Sequence, residues 1–160
     1  MLDQDVTAIV GLCILAALSV VAAWYDLRER RIPNWITALT AIAGLSFATV
    51  HSPTWSAAGS HALHMLAALA ICMVLFRLGV FGGGDAKFYA AVGSWFALGD
   101  GILLMLNVVL AGLVLLVAWF IVRRWRGIPI RRPVATRGSS LPYGIAIGCG
   151  AIATMLIGRG

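Results

Sequence analysis

The sequence predicts an all-α fold, a polytopic membrane protein built as a bundle of six transmembrane helices. Of its 160 residues, 61% are hydrophobic and 11% are charged, whereas soluble domains are about half apolar and about a quarter charged. The charged residues lie between apolar runs, several of which approach the ~20 residues that a helix needs to cross a bilayer. Length and uniform composition predict one membrane-embedded domain over residues 1–160.

Each predicted span is separated from the next by a charged or helix-breaking segment. The first run follows Asp3 and Asp5 rather than a basic start, so we expect it to remain as a helix instead of being cleaved as a signal peptide. Pro33 marks the entry to the second helix, and the glycine run 82–84 and the turn 99–101 bracket the fourth. The predicted spans are about 6–25, 35–50, 60–78, 85–99, 102–122 and 141–158.

The basic residues predict the orientation of the bundle. Eleven of the twelve fall in the first, third and fifth loops, namely Arg28, Arg30, Arg31, Arg77, Lys87, Arg123, Arg124, Arg126, Arg131, Arg132 and Arg137. The positive-inside rule then places these loops in the cytoplasm and both termini outside, for a multi-pass protein of the inner (cytoplasmic) membrane. The net charge of +6 could indicate nucleic-acid binding, but its placement favours a lipid bilayer as the partner and no nucleic acid.

Asp26 and Asp85 are the candidate catalytic residues. Asp26 ends the first predicted helix and Asp85 opens the fourth, and acids at membrane depth usually face a cavity and serve a function. The fourth helix, 15 residues from 85 to 99, measures about 22 Å against a hydrocarbon core of about 30 Å. We therefore expect Asp85 to lie in a water-filled inlet, with Asp26 nearer the surface.

Two such carboxyl groups could share one proton and one water. The ionised partner would take a proton from water as it attacks a carbonyl, and the protonated partner would polarise that carbonyl. Each aspartate also has a structural interpretation. Asp26 could pair with Arg30 at a helix end, and Asp85 could be a helix N-cap.

Three segments resemble the type IV prepilin peptidases, a branch of the G-x-G-D membrane aspartic peptidases. They are Asp26-Leu-Arg-Glu-Arg-Arg-Ile-Pro-Asn34, Gly82-Gly83-Gly84-Asp85-Ala-Lys87 and Leu141-Pro-Tyr-Gly-Ile-Ala-Ile147. The resemblance implies that Asp26 and Asp85 catalyse cleavage, that Gly82, Gly83 and Gly84 form an open loop for the substrate, and that Lys87 tunes Asp85 or orients the substrate. A snorkelling interfacial lysine is an equal alternative for Lys87.

The resemblance is to the short, peptidase-only form associated with Flp-type, tight-adherence pili. It implies cleavage of a prepilin leader at the cytoplasmic face, with no metal or cofactor and no N-terminal methyltransferase or zinc insertion. An archaeal-type preflagellin peptidase is an alternative. A second alternative, from the buried acids alone, is a non-enzymatic proton-coupled carrier or assembly factor. Oligomeric state is left open.

Other polar residues in the apolar runs have simpler interpretations. His61 and His64 share a helix face, and we expect interfacial histidines at the end opposite the aspartates rather than metal ligands. Asn107 is expected to hydrogen bond between helices. Cys13, Cys72 and Cys149 are widely spaced in apolar runs, so we expect small buried hydrophobic residues.

Overall fold

A computed structural model describes residues 2–52, 54–80, 82–125 and 143–158. Within these ranges the chain forms α-helices and one short 3₁₀ helix, without strands, which confirms the all-α class. The helices are α1 (Leu2–Glu29), α2 (Asn34–His51), α3 (Trp55–Arg77), α4 (Gly83–Gly93), α5 (Gly101–Trp125) and α6 (Tyr143–Ile157), with the 3₁₀ helix at Leu98–Asp100.

Three segments are long and apolar enough to cross a membrane: Asp5–Glu29, Trp55–Arg77 and Leu98–Trp125. Large apolar side chains such as Val20, Ile102 and Val114 are exposed on them, as expected where lipid rather than protein covers a helix. The apolar α6 has 15 residues and α4 only 11, so six crossings remain a prediction. The start of the sixth span at 141–142 and the basic residues Arg126 to Arg137 lie outside the described residues.

The short helix α4 lies at the centre of the bundle. It packs against α2, α3 and α6, and most of its side chains, including Phe88 and Val92, are buried. The predicted helix over 85–99 differs at both ends, since α4 begins at Gly83 and ends at Gly93. A buried turn at 94–96 then leads into the 3₁₀ helix.

Side chains of α2, α3 and the turn itself explain why α4 ends early. Ser94 Oγ donates to the Ala91 carbonyl at 2.7 Å, which competes with continuation of the helix. Further hydrogen bonds join the turn and the start of the 3₁₀ helix to α2 and α3. They include His61 Nδ1 to the Ser94 carbonyl, His64 Nδ1 to the Phe96 carbonyl, Trp95 Nε1 to the Thr40 carbonyl, and Leu98 N to Ser60 Oγ, at 2.9–3.1 Å. Buried main-chain groups are thereby paired away from water.

The histidines bind the turn that follows α4. His64 is buried and bonded within the protein, and its expected position at the membrane interface stays a prediction. Among the described residues, no three or more His, Cys, Asp and Glu side chains come together as a metal site. Asn107 Nδ2 donates to Thr154 Oγ1 at 2.9 Å, which confirms its hydrogen bond between α5 and α6. Cys72 is buried as expected, but Cys13 and Cys149 are exposed.

One end of the bundle carries both candidate aspartates, and we name it the aspartate end. Asp26 lies in the last turn of α1, and Asp85 lies in the first turn of α4. The N-terminus of α6 joins them there, since Gly144 contacts Asp26.

Candidate active site

The side chain of Asp26 is buried between α1 and α6. The first helix continues past the expected end at residue 25 to Glu29, and Asp26 exposes only 7% of its surface. Its Oδ2 accepts a hydrogen bond of 2.8 Å from the main-chain N–H of Gly144. Gly144 is the second residue of α6, so its N–H has no partner within that helix. Asp26 is thus enclosed by protein, and its depth in the membrane relative to Asp85 stays a prediction.

Arg30 supplies a positive charge beside Asp26. Its guanidinium attracts the carboxylate, as the structural interpretation of Asp26 predicted. The backbone of Arg30 has φ of 54°, a left-handed conformation that is uncommon outside glycine. The N–H of Arg30 still donates to the Asp26 carbonyl at 3.1 Å, and the chain leaves α1 at this residue because its φ is positive.

Ile32 fills the space between the first turns of α4 and α6. It is buried, and two glycines make room for it. A Cβ at Gly84 would lie 3.4 Å from Ile32 N, and one at Gly144 would lie 3.2 Å from Ile32 Cδ1. Ile32 therefore lies between the first turns of α4 and α6 at a distance that side chains larger than glycine at positions 84 and 144 would not allow.

Asp85 lies in the first turn of α4, next to the glycines. Gly82 precedes the helix as its N-cap residue, whereas Gly83 and Gly84 already belong to it, so only Gly82 is part of a loop. A Cβ at Gly82 would lie 2.6 Å from Asp85 Oδ2, so the present carboxyl position requires glycine there. Burial, and secondly the negative charge of Asp26, raise the pKa of Asp85 from 3.8 to about 6.

One cavity of about 580 Å³ brings the predicted site residues together. It is lined by Asp26, Asp85, Gly82, Gly83, Gly84 and Lys87, together with Glu29, Arg30, Arg31, Ile32, Pro33 and Asn34. Lys87 is exposed at its rim, where Nζ donates to Asn34 Oδ1 at 3.1 Å. The cavity could hold water between an ionised and a protonated carboxyl group, which is what hydrolysis by paired carboxylates needs.

Sequence reasoning missed the contributions of Gly144 and Ile32. Gly144 lies in the third segment of the resemblance and had no predicted chemical role, yet it donates to Asp26 across 118 residues of chain. The available signal was that both residues belong to motifs: Gly144 to the Pro-Tyr-Gly segment at the start of the last predicted span, and Ile32 to the Ile-Pro-Asn segment. Neither motif indicates which residue of another helix its members contact.

Comparison with known proteins supports the resemblance of the motifs. A sequence profile described as the type IV leader peptidase family matches residues 13–117, a range that contains both Asp26 and Asp85. No curated protein and no solved structure matches the chain. Because residues 13–117 are 105 of the 160 residues, the chain belongs to the type IV leader peptidase family.

Proposed function

We propose that the protein is a membrane aspartic endopeptidase that removes the leader of Flp-type prepilins at the cytoplasmic face. The observation that carries the proposal is that Asp26 and Asp85, 59 positions apart in the sequence, line one cavity at the same end of the bundle. Family membership supports leader-peptidase activity. The three motifs that resemble the prepilin peptidases support a prepilin as the substrate, and the basic residues at the aspartate end support the cytoplasmic side.

The surroundings of the two carboxyl groups suggest different roles. Burial disfavours the ionised form of Asp26, but the hydrogen bond from the Gly144 N–H and the positive charge of Arg30 oppose that effect and favour the carboxylate. Asp85 is half-buried and has its pKa raised to about 6, which favours the protonated form. We assign Asp26 as the base and Asp85 as the acid.

Hydrolysis then follows without a metal or cofactor. Asp26 takes a proton from water as the water oxygen bonds to the scissile carbonyl carbon, and Asp85 donates its proton to the carbonyl oxygen. The neutral diol collapses when its hydroxyl returns a proton to Asp85 and Asp26 passes its proton to the amide nitrogen. The C–N bond breaks, and a new carboxyl terminus and a free amine result.

The test is cleavage of a co-expressed Flp-type prepilin, read as a gel shift at matched membrane levels. We expect Asp26→Asn and Asp85→Asn each to reduce the rate about 10²–10⁴-fold, the range for a general acid or base. Glu29→Gln is the matched control, because Glu29 is a third carboxylate lining the same cavity but is exposed. Its rate should stay near wild type.

Processing that survives both aspartate substitutions would contradict the assignment and favour a proton-coupled carrier. If wild type leaves the prepilin intact but cleaves an archaeal preflagellin, the substrate is wrong while the peptidase chemistry stands.

A further inference from the structure

A separate cavity, of about 210 Å³, lies at the end of the bundle opposite the aspartate end, and we name it the distal cavity. It is found where α2 and α6 finish and α5 begins, against the turn that follows α4. The described residues that line it are Ala8, Phe47, His51, His61, Trp95, Phe96, Ala97, Asp100, Leu103, Thr154, Met155 and Gly158. Its volume is below the ~300–1,000 Å³ of drug-sized sites, so it suits a ligand of few heavy atoms.

One wall of the distal cavity is formed by aromatic rings. Phe47 stacks with His51 at a centroid distance of 5.0 Å and with Trp95 at 5.5 Å. A Cβ at Gly11 would collide with the Phe47 ring, so α1 holds that ring from another side. Aromatic rings attract cations and also offer apolar contact to the carbon atoms bound to a charged nitrogen.

Several side-chain donors that line the distal cavity are already used within the protein. Trp95 Nε1 donates to a carbonyl of α2 at 3.0 Å, and Thr154 Oγ1 donates to a carbonyl of its own helix at 2.8 Å. His61 Nδ1 lies 3.1 Å from the Ser94 carbonyl. Because a carbonyl oxygen only accepts, Nδ1 carries the proton. An anionic ligand, which needs donors, therefore meets three groups that are already paired.

The remaining polar groups of the lining favour a ligand that donates. When Nδ1 of a neutral His61 carries the proton, its Nε2 accepts. The carboxylate of Asp100 is exposed and lies within electrostatic reach of this ring. Among the described residues that line the distal cavity there is neither a lysine nor an arginine. His51 adds a nitrogen that can donate or accept. The lining thus contains one carboxylate without a matching cation.

We propose that the distal cavity binds a primary ammonium group carried by a small organic molecule. The N–H groups of the ligand donate to the Asp100 carboxylate and to His61 Nε2, and hydrogen bonds between charged groups are the strong ones. The carbon next to the nitrogen lies against the aromatic wall. This binding site is independent of the proposed peptidase function.

Two sources could supply the ammonium group. The distal cavity lies near the point where the apolar segments Trp55–Arg77 and Leu98–Trp125 begin, which is the depth expected for lipid headgroups at the edge of the hydrocarbon core. The ethanolamine headgroup of a phospholipid and a free amine in solution both present a primary ammonium. Both are therefore used as probes.

The first test measures the SDS unfolding midpoint of the purified protein in mixed micelles, at constant pH and ionic strength. The probes are ethanolamine and a short-chain phosphatidylethanolamine, each compared with its N-acetylated form, which has no charge on the nitrogen. A ligand that binds only the folded protein raises the midpoint once its concentration exceeds Kd. We expect at least one ammonium probe to raise the midpoint and neither N-acetylated form to do so.

The second test removes the carboxylate with Asp100→Asn. Because Asp100 is exposed, we expect this variant to unfold at the wild-type midpoint in the absence of ligand. The matched control is Asp5→Asn, since Asp5 is an exposed carboxyl group on α1, three residues before Ala8, but is not among the lining residues. Asp100→Asn should raise the Kd of the ammonium probe at least about tenfold, as expected for loss of a charged hydrogen-bond partner. Asp5→Asn should leave it near wild type.

The two probes distinguish the sources of the ligand. Binding of ethanolamine that depends on Asp100 supports a site for free amines, and binding of the phospholipid alone with the same dependence supports a site for a lipid headgroup. The proposal is overturned if neither ammonium probe raises the midpoint, if the N-acetylated forms bind equally well, or if Asp100→Asn binds like wild type.

Discussion

At the scale of single residues, two chemically identical carboxyl groups have different surroundings. Asp26 is buried, which disfavours its charge, but it accepts the Gly144 N–H and lies near the positive charge of Arg30, and both partners oppose that effect. Asp85 has a raised pKa because it is buried and faces the negative charge of Asp26. Since two adjacent negative charges repel, a pair of this kind keeps one proton up to about pH 6, well above the range of an ordinary aspartic acid.

The pH dependence of cleavage tests this division. Because the pKa of Asp85 is raised to about 6, its acid form persists to higher pH than an ordinary aspartic acid and is lost as pH rises further. If the protonated form is required, kcat/KM should fall about tenfold per pH unit above about 6. The measurement is a pH profile in detergent, and activity that increases through pH 6 would contradict the assignment.

Removing the Asp26 charge should lower the pKa of Asp85, because that charge is one cause of its increase. Carbodiimide labelling, which needs a protonated carboxyl, should lose Asp85 reactivity at a lower pH in Asp26→Asn than in wild type. Glu29→Gln should leave the midpoint in place.

Substitution of Gly144 tests the support of Asp26. A Cβ there would lie 3.0 Å from Asp26 Oδ2 and 3.2 Å from Ile32 Cδ1, so Gly144→Ala should displace the carboxylate by a few tenths of an ångström. We expect kcat to fall about tenfold, since small displacements of reacting groups are costly. Gly112→Ala is the control, because its Cβ would have no neighbour closer than 3.6 Å. Equal activity of the two variants would argue against a positioning role.

At the scale of helices, α4 is the element that positions the site. It is buried on several sides, and its turn is bonded to α2 and α3. Its contact with α2 is close at Gly44, where a Cβ would collide with Ser94 Oγ and lie 2.7 Å from Trp95 Cδ1. Asp85 is thereby placed by contacts at the other end of its own helix.

Alanine at Gly44 should therefore loosen α4. We expect Gly44→Ala to lower the free energy of unfolding by about 1–3 kcal/mol through overpacking. Gly59→Ala is its counterpart in α3, where a Cβ would meet nothing within 4 Å, and it should be neutral or raise stability by up to about 1 kcal/mol. Unfolding by SDS in mixed micelles measures both, and a stable Gly44→Ala would show that α2 and α4 can separate without cost.

At the scale of the whole molecule, the bundle exposes apolar side chains around its sides and gathers charge at one end. Arg28 and Arg123 cover the rings of Trp24 and Trp119 at 4.4 and 4.5 Å, an arrangement that suits a membrane interface. The proposed orientation places this end in the cytoplasm.

Cysteine labelling tests the orientation. After Cys13, Cys72 and Cys149 are replaced by alanine, Leu78→Cys reports the aspartate end and Gly99→Cys the opposite end, since both positions are exposed. In intact cells an impermeant maleimide should label Gly99→Cys and should reach Leu78→Cys only after lysis, because the basic loops stay inside. The reverse pattern would place the active site outside.

The sequence by itself determined the all-helical class, the membrane character, five of the six helix positions within a few residues, and the two aspartates as candidates. These depend on local composition, since apolar runs and their polar interruptions are read directly along the chain. The range of α4 was less predictable, because Gly93 and Ser94 end the helix only where His61, His64 and Thr40 satisfy the turn that follows.

Only the tertiary structure decided which distant residues meet. The Gly144 N–H reaches Asp26, and Ile32 fits between Gly84 and Gly144, although no local pattern relates these positions. The gap between α3 and α5 is likewise a property of how the other described helices pack around the short α4. Periodicity predicts a helix and its exposed faces, but close contacts between helices depend on the shape of side chains far apart in the chain.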